Sequence, residues 1–166
     1  VKEALAKGEL YLIAVLERHH ATGNVGLGLL RGYGLQKGAA ATTVAHDSHN
    51  LIVIGTNAQD MALAAQELVR VQGGYTLVHE GSVVGTVPLN ICGLMSNAPA
   101  EQLIASLERI SAQARAQGVH EGIDPFISLS FMALPVIPKL RITDIGMFDV
   151  DKFTFVEHEG QYICIN

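Results

Sequence analysis

Strand-like apolar runs and helix-like amphipathic runs fall in blocks along this chain, and that order constrains its architecture more than any other feature. Residues 10–16, Leu-Tyr-Leu-Ile-Ala-Val-Leu, form a continuous apolar run that reads as a strand. It gives way to the polar cluster Glu17-Arg18-His19-His20 and then to the glycine-rich stretch 22–28, read as an irregular loop. Residues 39–45 and 51–55 are both strand-like and flank the tight polar segment His46-Asp47-Ser48-His49-Asn50, a spacing that favours a hairpin or a sharp strand-to-strand corner. Residues 75–79 and 83–87 alternate on either side of Glu80-Gly81-Ser82, the pattern of a β-hairpin, and Pro88 closes it.

The helical signals lie between and after these runs. Thr56 or Asn57 is placed to cap a helix reaching Val71, with Met61, Leu63, Ala64, Leu68 and Val71 broadly on one face and Gly73-Gly74 at its end. A second helix, capped by Ser96 or Asn97 with Pro99 near its first turn, runs to Gly118, and its apolar face predicts burial of Leu103, Leu107 and Ile110. Asp124-Pro125 opens a shorter apolar helix over 126–134, which Pro135 and Pro138 must end. Residues 152–165 read as two short strands around Glu159-Gly160. The blocks predict an α+β fold, a mixed β-sheet with packed helices, in a single domain over 1–166 with no linker-like segment. A chain of this length removes roughly 70% of its unfolded surface from water, so a sizeable core is expected.

Composition narrows the classes of partner. Apolar residues make up 49% of the chain and charged residues 16%, which is rich for a solvated monomer, so part of the surface is expected to be covered by another domain or subunit. The net charge is −5 and the 11 Lys and Arg residues are scattered, so nucleic acid is not an expected partner. No apolar run reaches the length of about 18 residues that suggests a membrane span. Cys92 and Cys164 are isolated, without CxxC or Cys/His spacing, which fits a reducing compartment and makes the cytoplasm the expected location. The first residue is Val rather than Met, which reads either as an excised piece of a longer polypeptide or as a processed N-terminus.

The densest polar constellation is the 46–50 segment. Two imidazoles three residues apart with a carboxylate between them can ligate a metal or supply an acid and a base. The same residues also read as turn formers, Asp47, Ser48 and Asn50, with histidines bonded to nearby backbone. His46, Asp47 and His49 lack the helical HExxH context of a zinc site. His19-His20 follows a strand end, where side chains often project into a cleft, and adjacent histidines point to opposite faces. The glycines of 23–28 lack dinucleotide-fingerprint spacing and read as a loop needing positive φ or close backbone approach. Residues 90–96 are a helix entry whose amides can meet an anion or a neighbouring loop, and Ser128, Ser130 and Met132 read as core or interface residues.

Four stretches then carry a resemblance: Glu17-Arg18-His19-His20-Ala21-Thr22-Gly23-Asn24-Val25-Gly26, Val44-Ala45-His46-Asp47-Ser48-His49-Asn50, Gly93-Leu94-Met95-Ser96 and Leu129-Ser130-Phe131-Met132-Ala133-Leu134-Pro135-Val136-Ile137-Pro138. In this order, over essentially the whole chain except its last dozen residues, they resemble the C-terminal domain of bacterial adenine deaminases. The resemblance implies hydrolytic deamination of adenine to hypoxanthine and ammonia by a full enzyme. It also implies an upstream amidohydrolase-type barrel holding a divalent metal, manganese or iron, whose ligands are not in this chain. His46, Asp47, Ser48, His49, Asn50, His19 and His20 are then expected to face the mouth of that barrel. A homo-oligomer is expected. Two other readings stay open: a non-catalytic interdomain or oligomerisation module, and a free-standing metal hydrolase built on His46, Asp47 and His49.

Overall fold

The computed structural model describes residues 2–156 and 164–165. Its elements run α1 (Lys2–Ala6), β1 (Leu10–Leu16), β2 (Val25–Arg31), β3 (Ala39–Thr42), β4 (Leu51–Gly55), α2 (Ala58–Arg70), β5 (Gly74–His79), β6 (Ser82–Pro88), α3 (Ala100–Ala116) and α4 (Ile127–Ser130). A short 3₁₀ turn (Phe131–Ala133) and the strands β7 (Leu140–Thr143), β8 (Gly146–Asp149), β9 (Thr154–Phe155) and β10 (Cys164–Ile165) complete it. The main sheet has the order β10-β2-β1-β4-β3-β5-β6, all antiparallel except for β10 on β2, and a smaller sheet has the order β7-β8-β9. This is the mixed-sheet α+β architecture expected from the order of the runs. No helix among the described residues is long and apolar enough to cross a membrane.

Apolar residues on both faces of the central strands force the sheet to be covered on both sides, because bare strand faces of this kind leave a large hydrophobic area in water. Tyr11, Ile13, Val15, Ile52, Ile54 and Leu77 face one way and pack with Ile110 and Ala114 of α3, Leu129 of α4, and Ile142 and Met147 of β7 and β8. Ala14, Ala39, Ala41, Val53 and Val78 face the other way and meet Met61, Ala64 and Leu68 of α2. The α2 start is built as its sequence predicts: the Asn57 side chain accepts a hydrogen bond from the Asp60 N–H at 2.8 Å, satisfying a donor that the first helical turn leaves open. Residues 74–88 form the expected hairpin.

Other expectations are corrected. The loop read over 22–28 ends at Asn24, and Val25 to Gly28 lie in β2, paired with β1. Gly26 and Gly28 are nevertheless there for close approach: a Cβ on Gly26 would sit 1.8 Å from the Thr143 carbonyl oxygen, so the backbone of the β7–β8 hairpin rests directly on β2. At the start of α3, Pro99 occupies the cap without a side-chain hydrogen bond, while Ser96 bonds the Ala98 N–H instead. Of the three residues expected to be buried on α3, Ile110 is, whereas Leu103 and Leu107 are half-buried. The helix read over 126–134 is one α turn followed by the 3₁₀ turn. The two terminal strands do not pair: β9 joins β8 and β10 joins β2. The Glu159-Gly160 turn lies outside the described residues.

The Gly26 contact makes a direct prediction. Gly26→Ala should lower stability by about 1–3 kcal/mol in urea unfolding, as overpacking against a backbone does. Gly122→Ala, whose added methyl meets nothing within 4 Å, should leave the midpoint unchanged.

Candidate functional site

Three segments distant in sequence meet at one end of the β1–β2–β4 strands. The first is the connection 17–24 between β1 and β2, the second is the corner 44–50 ahead of β4, and the third is the β7–β8 turn that carries Asp144.

The first segment is organised by Glu17. Its carboxylate accepts hydrogen bonds from the backbone N–H groups of His19, His20 (2.8 Å) and Thr22 (3.1 Å) and from the Thr22 hydroxyl (3.3 Å). Desolvation pushes its pKa up, but the backbone and hydroxyl donors together outweigh it and hold the carboxyl down at about 2. Glu17 is thus an anionic post around which the polypeptide bends, and the bend sends His19 and His20 outward, with their rings 6.4 Å apart between centroids.

The corner is held by Arg18. Its Nε donates to the His49 carbonyl at 2.5 Å and its Nη2 to the Cys92 carbonyl at 2.7 Å, so one guanidinium fork spans the corner and the 90–96 segment. That segment, read chiefly as a helix entry, meets its neighbours here through carbonyls: Gly93 accepts from the Thr43 hydroxyl at 2.6 Å. His19 Nε2 lies 2.7 Å from the Ser48 carbonyl. A carbonyl can only accept, so Nε2 is the protonated nitrogen of that ring. The structure therefore brings the His19 and 46–50 motifs together.

Within the corner, His46, Asp47 and Ser48 are exposed, His49 is half-buried and Asn50 is buried. The His49 backbone has φ +52°, and its N–H donates to the Ala45 carbonyl at 2.6 Å. Its Nδ1 accepts from the Ala45 N–H at 3.3 Å, which places the proton of the neutral ring on Nε2. Desolvation, then the neighbouring His46, Arg18 and His19, push the His49 pKa down, with Asp47 opposing them. The His46 and His49 rings meet edge to face at 5.3 Å. Asn50, which also reads as a plain turn residue, donates from Nδ2 to Asp144 Oδ1 at 3.1 Å, and Asp144 Oδ2 accepts from Asn24 Nδ2 at 3.3 Å. Asp144 is the member that reading the sequence missed. Its only local signal is the turn chemistry of Asp144-Ile145-Gly146.

In the sequence the corner also reads as a metal centre on His46, Asp47 and His49. Among the described residues no three His, Cys, Asp or Glu side chains come together as a ligand set, and His49 Nδ1 is already engaged by backbone. What the cluster presents outward is a set of exposed imidazole and carboxylate groups able to donate and accept hydrogen bonds.

Residues 1–154 match the family model of the adenine deaminase C-terminal domain. The chain is similar to an adenine deaminase of Carboxydothermus hydrogenoformans, 51% identical over 87% of this chain and 25% of the relative. It is also similar to adenine deaminases of Dehalococcoides mccartyi (50% identical over 91% and 26%) and Halalkalibacterium halodurans (46% over 94% and 26%). It spans about a quarter of the length of these relatives.

Two titrations follow from the site. The folded Glu17 pKa is depressed, so its stabilisation is fully present above the ordinary carboxylate value of 4.5 and is lost as pH falls towards about 2. Glu17→Gln should therefore be less stable than the parent chain at pH 6, with the gap closing as the pH approaches 2, measured by urea unfolding across that range. His49 should titrate below the ordinary histidine value of 6.5 when followed by NMR of its ring protons.

Proposed function

Because the chain belongs to the adenine deaminase C-terminal domain family, we propose that it acts as the C-terminal quarter of an enzyme that hydrolyses adenine to hypoxanthine and ammonia. In this reading the preceding polypeptide supplies a barrel and its divalent metal, manganese or iron. The corner described above lies at the mouth of that active site. The observation that carries the reading is the convergence of His19 and the 46–50 segment, linked by the His19 Nε2 to Ser48 contact and by Arg18, in one exposed polar cluster.

The reaction replaces an exocyclic amino group by the oxygen of water and needs a proton for the departing ammonia. When bound, the metal would supply a nucleophilic hydroxide near neutral pH. The residues of this chain are suited to the remaining tasks. The neutral His49, with its ring fixed by the Ala45 amide, and His19, with its proton aimed at the Ser48 carbonyl, can orient polar groups of a purine or of the facing loops. They can also help exclude bulk water. Asp144 fixes the corner from behind through Asn50 and Asn24.

The second reading, a non-catalytic interdomain or oligomerisation module, draws support from exposed apolar side chains, among them Leu27 and Ile145. One experiment separates the two. In a full-length polypeptide carrying this chain, His49→Ala should lower kcat for ammonia release from adenine by about 10- to 100-fold, the usual consequence of losing a positioning contact, with circular dichroism and assembly state unchanged. An unchanged kcat favours the module. The 166-residue chain by itself should release no ammonia from adenine, and turnover abolished by His46→Ala or His49→Ala would instead establish the free-standing hydrolase.

A further inference from the structure

Helix α2 covers only part of the sheet face on which it packs. It rests on β3, β4, β5 and β6. In the antiparallel register Leu12 lies opposite Leu29, Ala14 opposite Leu27 and Leu16 opposite Val25, and alternation along the strands puts these residues on the α2 side of the sheet. Beside the helix they form a groove of about 690 Å³ whose lining includes Leu12, Leu16, Leu27, Val53, Met61 and Ile145. Among the described residues it is an exposed apolar surface: Leu27 is 70% exposed, Ile145 63% and Val25 48%. Apolar side chains this exposed and this contiguous mark a surface that another body covers.

We propose that this groove seats the polypeptide that precedes the domain in the full-length enzyme, with Leu27 as its most exposed anchor. The proposal rests on reading the chain as the C-terminal quarter of a deaminase, and two observations select this occupant over a second copy of the chain. First, the relatives carry about three quarters of their length outside the matched segment, and the family description places that segment at their C-terminal end. Second, the groove is continuous with the histidine corner. Leu16 and Val25 flank the 17–24 connection that carries His19, and Ile145 directly follows Asp144, which bonds both Asn24 and Asn50. A body resting on the apolar floor meets the polar corner at its rim, the arrangement of an interface with a dry centre and a hydrogen-bonding edge.

Site-resolved maleimide labelling tests this directly, with mass spectrometry used to keep the native Cys92 and Cys164 apart from the introduced thiols. Leu27→Cys and Ile145→Cys should react readily in the 166-residue chain and about tenfold or more slowly in a full-length polypeptide carrying residues 1–166 as its C-terminal quarter, as expected for groups excluded from water at an interface centre. Val69→Cys, on α2 outside the groove and 73% exposed, should react alike in both. Equal labelling of Leu27→Cys in the two proteins, or slowing of Val69→Cys by as much, overturns the proposal. So does protection that grows with concentration in the 166-residue chain alone, which assigns the face to a second copy. Ammonia release from adenine by the unsubstituted full-length polypeptide is measured alongside. An active enzyme with an unprotected groove defeats this proposal and leaves the deaminase reading standing, and a protected groove without deamination does the reverse.

Discussion

A sheet whose inner strands are apolar on both faces must be covered on both, and most of the molecule follows from that requirement. β3 and β4 are buried along their whole length, so neither face of the sheet centre can be left to solvent. One cover is α2. The other is assembled from α3, α4 and the β7–β8 hairpin, which reaches β2 only because Gly26 and Gly28 present no side chains to it. The hairpin in turn delivers Asp144 to the end of the strands where the histidines lie. Packing thus determines where the polar corner forms, and the hydrogen bonds to Asp144 hold it there.

Much of this was legible in the sequence wherever the signal was local. The Asn57 cap, the 74–88 hairpin and the 46–50 corner each depend on residues within a few positions of one another, and each stands as the spacing predicted. The failures have a common physical origin in contacts far along the chain. Glycines weaken a strand signal, so the start of β2 read as loop; what makes them compatible with a strand is the Thr143 backbone, more than a hundred residues away in the chain. β7 and β8 passed unnoticed because a four-residue strand has little periodicity to show. Pro99 holds the α3 cap in place of Ser96 or Asn97, and the Ser96 hydroxyl is taken by the Ala98 N–H before the helix begins.

The candidate site was legible by composition and illegible by connection. His19, His20 and the 46–50 residues stand out as polar clusters at the ends of apolar runs, but nothing in their spacing says that Arg18 bridges the corner to Cys92, or that Ser48 meets His19. Glu17 illustrates the same limit. In the sequence it is one member of a polar cluster, yet the backbone amides it gathers hold its carboxyl down at about 2. Such groups are recognised from the donors around them rather than from their own identity.

Asp144 also has a bearing on the order in which the protein can mature. It lies 120 residues beyond Asn24 and 94 beyond Asn50, the two side chains it holds. During synthesis both histidine-bearing segments leave the ribosome long before the acid that anchors them, and bonds spanning such separations form late because the intervening chain must first be ordered. The nascent domain can therefore pair its central strands early and still carry an unfinished corner until the β7–β8 turn has been made.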